Sequence, residues 1–140
     1  MNSFRIEEIH ADGYERWAKV KVCSSNVVNL VHFIEYDEYI ENGATTNKRR
    51  KDDIINGTMR IDLVTKYKIV YDNNSGFVQS IDNSSNITAI VTVREIEDSD
   101  TLICSINNLG EDIIVEFEND IDIKVGETLE INGSLELDIE

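Results

Sequence analysis

Apolar and polar residues alternate along most of this chain. Met59, Ile61 and Leu63 are separated by Arg60 and Asp62, and Ala18, Val20 and Val22 by Lys19 and Lys21. A period of two places successive side chains on opposite faces of an extended backbone, so such segments read as half-buried strands. Eleven stretches have this pattern or are rich in Val, Ile, Thr and aromatics: Phe4–Ile9, Trp17–Cys23, Val27–Ile34, Gly57–Val64, Tyr67–Tyr71, Phe77–Ile81, Ile87–Ile96, Thr101–Ile106, Asp112–Phe117, Thr128–Ile131 and Ser134–Ile139. Asn, Asp, Gly and Ser clusters separate them. The chain has no proline, so its turns must rest on Gly, Asn and Asp. Asn42-Gly43, Asn56-Gly57 and Asn132-Gly133 are the candidate left-handed turn positions. Tyr36–Glu41 is the one place where a short helical turn competes with strand. The expected fold is all-β: an antiparallel β-sandwich, or one or more OB-like small barrels. At 140 residues, this is the size of one compact β domain.

Two stretches resemble each other. Ile55–Leu63 (INGTMRIDL) lines up with Ile131–Ile139 (INGSLELDI), with four of nine positions identical and four exchanged like for like. Upstream, Val22–Asn26 (VCSSN) lines up with Ile103–Asn107 (ICSIN). The offsets are 76 and 81, which places a five-residue insertion in the first copy, at the loop around Asn47–Lys51. An internal duplication would divide the chain into halves 1–71 and 77–140, joined through Asp72–Gly76.

Charge changes the picture at one end. Residues 1–94 carry 12 bases and 13 acids, a net of −1, whereas residues 95–140 carry Lys124 alone against 15 acids, a net of −14. Such asymmetry presents a negative field that attracts cationic partners and repels nucleic acid and anionic lipid. Glu116, Glu118, Asp120 and Asp122 fall at alternate positions, so one extended strand would carry all four on one face, opposite Val115, Phe117, Ile121 and Ile123. Glu136, Asp138 and Glu140 repeat the scheme opposite Leu135, Leu137 and Ile139, and Glu95 with Glu97 makes a third pair. Native surfaces usually mix both signs, because like charges across strands repel. An acid wall with one base in 46 residues therefore suits a docked cationic surface, or serves solubility.

Other chemistry is sparse. Cys23 and Cys104 lie in apolar stretches and read as two buried, reduced thiols. His10 and His32 belong to no paired ligand spacing, the cysteines form no CxxC, and an EF-hand starting at Asp120 would find its glycine one position late, at Gly126. His32, within Val31–Ile34, reads as a strand histidine facing solvent or a hydrogen-bond partner. No phosphate loop or nucleophile elbow is present. Lys48–Lys51 forms a short basic run in a loop, suited to an intramolecular contact with the acid wall, to self-association or to solvent. Trp17 and Phe33 read as core. Tyr36 and Tyr39, next to Asp37, Glu38 and Glu41, form a candidate recognition patch for a basic partner.

The N-terminal residues form no signal peptide and no apolar run approaches a membrane span, so the expected location is cytoplasmic. In general character the chain resembles the small acidic cytosolic proteins that bacteria use as immunity proteins against secreted nuclease toxins, including those of contact-dependent inhibition systems. That resemblance is one of type and assigns no residues. The expected function is non-catalytic binding of a basic protein partner, such as a toxin nuclease domain, with no cofactor, no nucleic acid and no membrane. Glu116, Glu118, Asp120, Asp122, Glu136 and Asp138 would form the binding face, with Tyr36 and Tyr39 as anchors. The competing expectation is a structural or assembly β module, of phage or secretion-apparatus type, in which Lys48–Lys51 of one copy meets the acid wall of the next.

Overall fold

The computed structural model describes residues 2–41, 44–71 and 74–140, so the Asn42-Gly43 turn and part of the Asp72–Gly76 connector lie outside the described residues. Ten strands follow one another: β1 (Asn2–Asp12), β2 (Glu15–Val22), β3 (Val28–Ile34), β4 (Ile54–Val64), β5 (Tyr67–Val70), β6 (Gly76–Val78), β7 (Asn86–Asp98), β8 (Thr101–Ile106), β9 (Gly110–Phe117) and β10 (Thr128–Ile139). All belong to one sheet. The fold is all-β, as the alternation predicts. The sheet is mixed rather than purely antiparallel, because β3 runs parallel to β10 and β4 runs parallel to β9.

The centre of the sheet is the antiparallel ribbon of β4 and β10, paired from Gly57↔Ile139 to Ile61↔Leu135. On its outer edge β4 takes β1 at one end, near Ile55, and β9 at the other, from Arg60. β10 likewise takes β7 along Thr128–Ser134 and meets β3 at Glu136. The pairings therefore close two circuits on the one ribbon. One runs β1–β2–β3–β10–β4 and back to β1; the other runs β7–β8–β9–β4–β10 and back to β7. The first strand of each circuit carries a register shift, at Ile6/Glu8 in β1 and at Val93/Glu95 in β7. A bulge bends a strand and increases its twist, which lets one strand serve two neighbours as the sheet curls.

Side chains of one parity fill the interior. Phe4, Ile6, Val20, Val31, Ile61, Val91, Leu102, Val115, Leu129 and Leu135 are fully buried within one continuous apolar cluster. Each fully buried side chain of this size contributes about 1.5–3 kcal/mol. Like charges opposed across strands cost only about 0.2–1 kcal/mol per pair, so the inner face can sustain an acidic outer one.

Three expectations are corrected here. Asn56-Gly57 and Asn132-Gly133 are not turns. Neither glycine has a positive φ, and both lie within strands, so the two expected C-terminal strands are a single β10. These glycines serve close backbone approach instead. A Cβ on Gly57 would lie 2.5 Å from the Asp138 carbonyl oxygen, and a Cβ on Gly133 2.5 Å from that of Asp62. Trp17 is half-buried on the outer face between the rings of His10 and His32 (centroids 5.9 and 5.4 Å). The inner-face position beside it is taken by Arg16, which is 1% exposed. Tyr36–Glu41 forms a turn and an isolated bridge, Gly13↔Ile40, with no helix.

Gly57→Ala and Gly133→Ala are each expected to destabilise the fold by about 2–4 kcal/mol in denaturant unfolding, since a methyl would press on backbone that cannot rotate away. Gly76→Ala, where a Cβ meets nothing within 4 Å, should be near neutral.

Candidate functional site

The outer face of the ribbon is where the charges collect. Arg60 and Asp62 alternate with buried Met59 and Ile61 on β4, and Glu136 and Asp138 alternate with buried Leu135 and Leu137 on β10. Arg60 and Glu136 are register partners. Their charged groups nevertheless turn away from each other, each toward the parallel strand beside it. The Arg60 guanidinium donates to Glu116 of β9 at 2.7 Å and lies 3.4 Å from both Asp62 and Asp138. Partial burial works against the Arg60 charge, but the Asp62, Asp138 and Glu116 carboxylates outweigh it and hold the group above its ordinary range. Asp62 is raised, chiefly by burial, with Glu116 and Glu136 adding repulsion and Arg60 opposing.

Glu136 makes the matching contact on the other side. One oxygen lies 2.7 Å from His32 Nδ1 on β3, and the other accepts from Ser134 at 2.8 Å. His32 Nε2 lies 3.2 Å from Glu15, and Ser134 is bonded to Ser85 at 2.7 Å. The hydrogen bond to Glu136 raises the His32 pKa against the opposing effect of burial. Each parallel strand pair is thus bridged by a polar side-chain contact, the Arg60–Glu116 ion pair across β4 and β9 and the His32–Glu136 hydrogen bond across β3 and β10.

The acid wall is therefore assembled differently from the sequence expectation. β9 ends at Phe117, and Glu118, Asp120 and Asp122 lie in the irregular stretch before β10. The strand stops where β4 does: the Glu118 N–H donates to the carbonyl of Val64, the last residue of β4, and beyond it the Asp120 carboxylate accepts from the Ser99 hydroxyl. Of the four alternating carboxylates, only Glu116 joins Asp62, Glu136 and Asp138 at the ribbon.

Tyr36 and Tyr39 sit on the segment after β3 and are 77% and 63% exposed. That segment is pinned from below by Arg16, whose guanidinium donates to the carbonyls of Gly13, Glu15 and Glu38 and to the Glu38 carboxylate. Glu38 also accepts from the Thr46 hydroxyl and the Asn47 N–H, which lower its pKa. Tyr39 packs edge-on against Tyr14, with centroids 5.1 Å apart. The first two bases of the basic run turn to this segment, Lys48 reaching Asp37 and Glu35 and Arg49 reaching Glu35 at 2.9 Å, while Arg50 donates to the Asn47 carbonyl.

A groove of about 680 Å³ links the two candidate sets. Its carboxylates are Glu35, Asp37, Asp62, Glu136, Asp138 and Glu140, its cationic groups are Arg49 and His32, and Tyr36 stands beside it. Such a lining holds and orients positive charge. The Ser85–Ser134–Glu136–His32–Glu15 chain does not form a nucleophile–base pair, because Ser134 donates to the carboxylate, Ser85 reaches only Ser134, and neither serine touches the imidazole. The thiols differ from the buried pair expected. Cys104 is buried in β8, with its pKa pushed up to about 12 by desolvation, whereas Cys23 is exposed in the turn after β2. They do not occupy matching positions, so the VCSSN–ICSIN alignment fails in detail. Among the described residues no group of three or more His, Cys, Asp or Glu is arranged to hold a metal, and no helix is long and apolar enough to cross a membrane. No protein-family model matches this chain, and no curated protein or solved structure is significantly similar to it.

Two of these features were missed from sequence: Arg60 as the hub of the wall and Arg16 as the anchor of the tyrosine segment. Arg60 carried a usable signal, being the base on the outward side of a strand whose next outward residue is Asp62.

Two measurements check this site. A histidine with a raised folded pKa contributes stability that is fully present below its unfolded value of about 6.5 and lost as pH rises through the folded value. The native chain is therefore expected to lose stability as pH climbs above 6.5, and His32→Gln to flatten that slope in thermal melts. Arg16→Ala would strand three carbonyls and should cost about 2–3 kcal/mol in denaturant unfolding, with Tyr39 gaining solvent exposure by fluorescence quenching.

Proposed function

We propose that this chain is a non-catalytic, cytoplasmic binding protein whose acidic outer face docks a basic protein. The observation that carries this reading is the groove in which six carboxylates face two cationic groups, with an exposed Tyr36 in its lining. A cluster of carboxylates imitates the charge spacing of a phosphate backbone; Tyr36 supplies an amphipathic anchor in its lining, and Tyr39 a second one farther along the same segment. Long-range attraction would speed encounter, and the desolvated anchors would set the lifetime of the complex. An immunity or inhibitor protein that covers the cleft of a nuclease-type toxin has this combination of needs.

The architecture is read in the same spirit. Each circuit of paired strands is an OB-like small barrel, and the two barrels share the β4–β10 ribbon after an internal duplication. Three features support this. The 76-residue offset superposes Gly57 on Gly133, Arg60 on Glu136 and Asp62 on Asp138. Both ribbon glycines face a carbonyl at the same distance. The parallel pairings Arg60↔Ile114 and Glu136↔His32 fall at equivalent ribbon positions. The self-assembly alternative draws no support from the basic run, since Lys48 and Arg49 are already paired within the chain.

The test is capture from lysate of the source cell by native bait and by two neutralised baits, at low and moderate salt. One bait carries Asp62→Asn, Glu136→Gln and Asp138→Asn; the other carries Glu118→Gln, Asp120→Asn and Asp122→Asn. A basic protein retained by native and second baits and lost from the first supports the groove, and its on-rate should fall at least tenfold between 50 and 500 mM salt. A partner lost only from the second bait moves the site to the segment after β9, and a salt-independent on-rate removes the electrostatic reading altogether.

A further inference from the structure

The two parallel seams are not equally closed. β4 and β9 pair at Arg60↔Ile114, Ile61↔Val115 and Val64↔Phe117. Between β3 and β10, among the described residues, the only pair is His32↔Glu136, although β3 continues to Ile34 and β10 to Ile139. The second circuit is zipped where the first, among the described residues, is held by one bridge and the His32–Glu136 hydrogen bond.

The β3 edge also reveals what it accepts. On the N-terminal side of the bridge, the Gln79 side-chain amide binds both backbone groups of Leu30: its oxygen accepts from the N–H at 2.8 Å, and its nitrogen donates to the carbonyl at 2.7 Å. That is the pair of bonds a neighbouring strand would make. Alternate residues of a strand send their backbone groups to the same side, so Ile34, four residues beyond Leu30, faces the seam as Leu30 does. Among the described residues no such amide cap reaches Ile34. The groove at this point is lined by Phe33 and Ile34 of β3 and by Leu137, Asp138 and Ile139 of β10; its carboxylates are Glu35, Asp37, Asp62, Glu136, Asp138 and Glu140, with Arg49 paired to Glu35 and His32 to Glu136, so that Asp138 and Glu140 are the carboxylates nearest the open seam without a cation of the groove on them.

We infer that the open part of the β3–β10 seam receives an extended, cationic segment of the partner protein. The segment adds its backbone to the Ile34 edge and sets alternate Lys or Arg side chains against the rim carboxylates. This rests on the acidic-docking reading and gives it a mode. Strand addition supplies main-chain hydrogen bonds for affinity, and alternate side-chain positions supply selectivity. The charge of the rim excludes an acidic segment and, with it, pairing between two copies through this acidic edge. Ile34, 45% exposed and on the same face as His32, offers an apolar contact to the aliphatic stems of those Lys or Arg side chains.

The probe is an acetylated, amidated hexapeptide of alternating Lys and Val, titrated into the full chain and followed by amide chemical shifts. A twin with the same charges but alternate backbone nitrogens methylated serves as the comparison. Saturable shifts at Ile34 and Asp138, with at least a tenfold weaker response to the methylated twin, are expected. Equal affinity for both peptides would overturn strand addition while leaving the acidic surface as a cation-binding face. No response to either peptide would overturn strand addition and the electrostatic reading together. Binding of the equivalent Glu–Val peptide at the same residues would contradict the assigned charge selectivity.

Discussion

The close approach of β4 and β10 is the constraint on which the rest of the molecule depends. Two carbonyls, those of Asp62 and Asp138, lie where a side chain would stand on any residue other than Gly133 or Gly57. With both glycines in place the ribbon can cross through the centre of the fold, take β1 and β3 at one end, and take β9 and β7 at the other. One pair of strands thereby serves two circuits, and their inner faces merge into a single apolar cluster. Burial of Met59, Ile61, Leu135 and Leu137 on that inner face outweighs, by several kcal/mol, the repulsion among the acids outside.

The same crossing explains the charge distribution. Equivalent ribbon positions carry opposite charges, Arg60 on β4 and Glu136 on β10, and each is turned to the neighbouring parallel strand. One half of the ribbon therefore neutralises acids, while the other half, through Glu136, holds a histidine of raised pKa and adds to a negative groove. The result is a surface whose net charge is uneven over a short distance. That unevenness suits orientation of a partner as well as attraction of one.

Much of the fold was legible in the sequence, because period-two alternation is a direct image of one face packed and one face wet. The strands from β1 to β9 coincide with the predicted stretches to within a few residues. What escaped was chemistry with more than one physical meaning. Asn-Gly is a strong turn signal, yet here glycine answers to a backbone from a distant strand, a demand that local sequence does not display. The recurrence of the same Ile-Asn-Gly in both copies was the available clue. The alternating acids after Val115 looked like strand because their spacing is right, but backbone bonds from the Glu118 N–H to the Val64 carbonyl and from the Ile121 N–H to the Ser99 carbonyl redirect the chain. Trp17 was assigned to the core by size, whereas Arg16 took the inner position because three carbonyls and Glu38 satisfy its guanidinium there. Of the predicted binding residues, Glu116, Glu136 and Asp138 gather at the ribbon and Tyr36 joins them at the groove, but the partners that bring them together, Arg60 and His32, are contributed by strands far away in sequence.

A rigid ribbon beside a loosely closed seam is the physical core of this account, and native-state amide hydrogen exchange on the full chain measures both at once. Met59, Ile61, Leu135 and Leu137 are expected to exchange only through global unfolding, while Ile34 exchanges orders of magnitude faster through local exposure. Ribbon amides that open locally, or an Ile34 amide protected as strongly as the ribbon, would contradict this account.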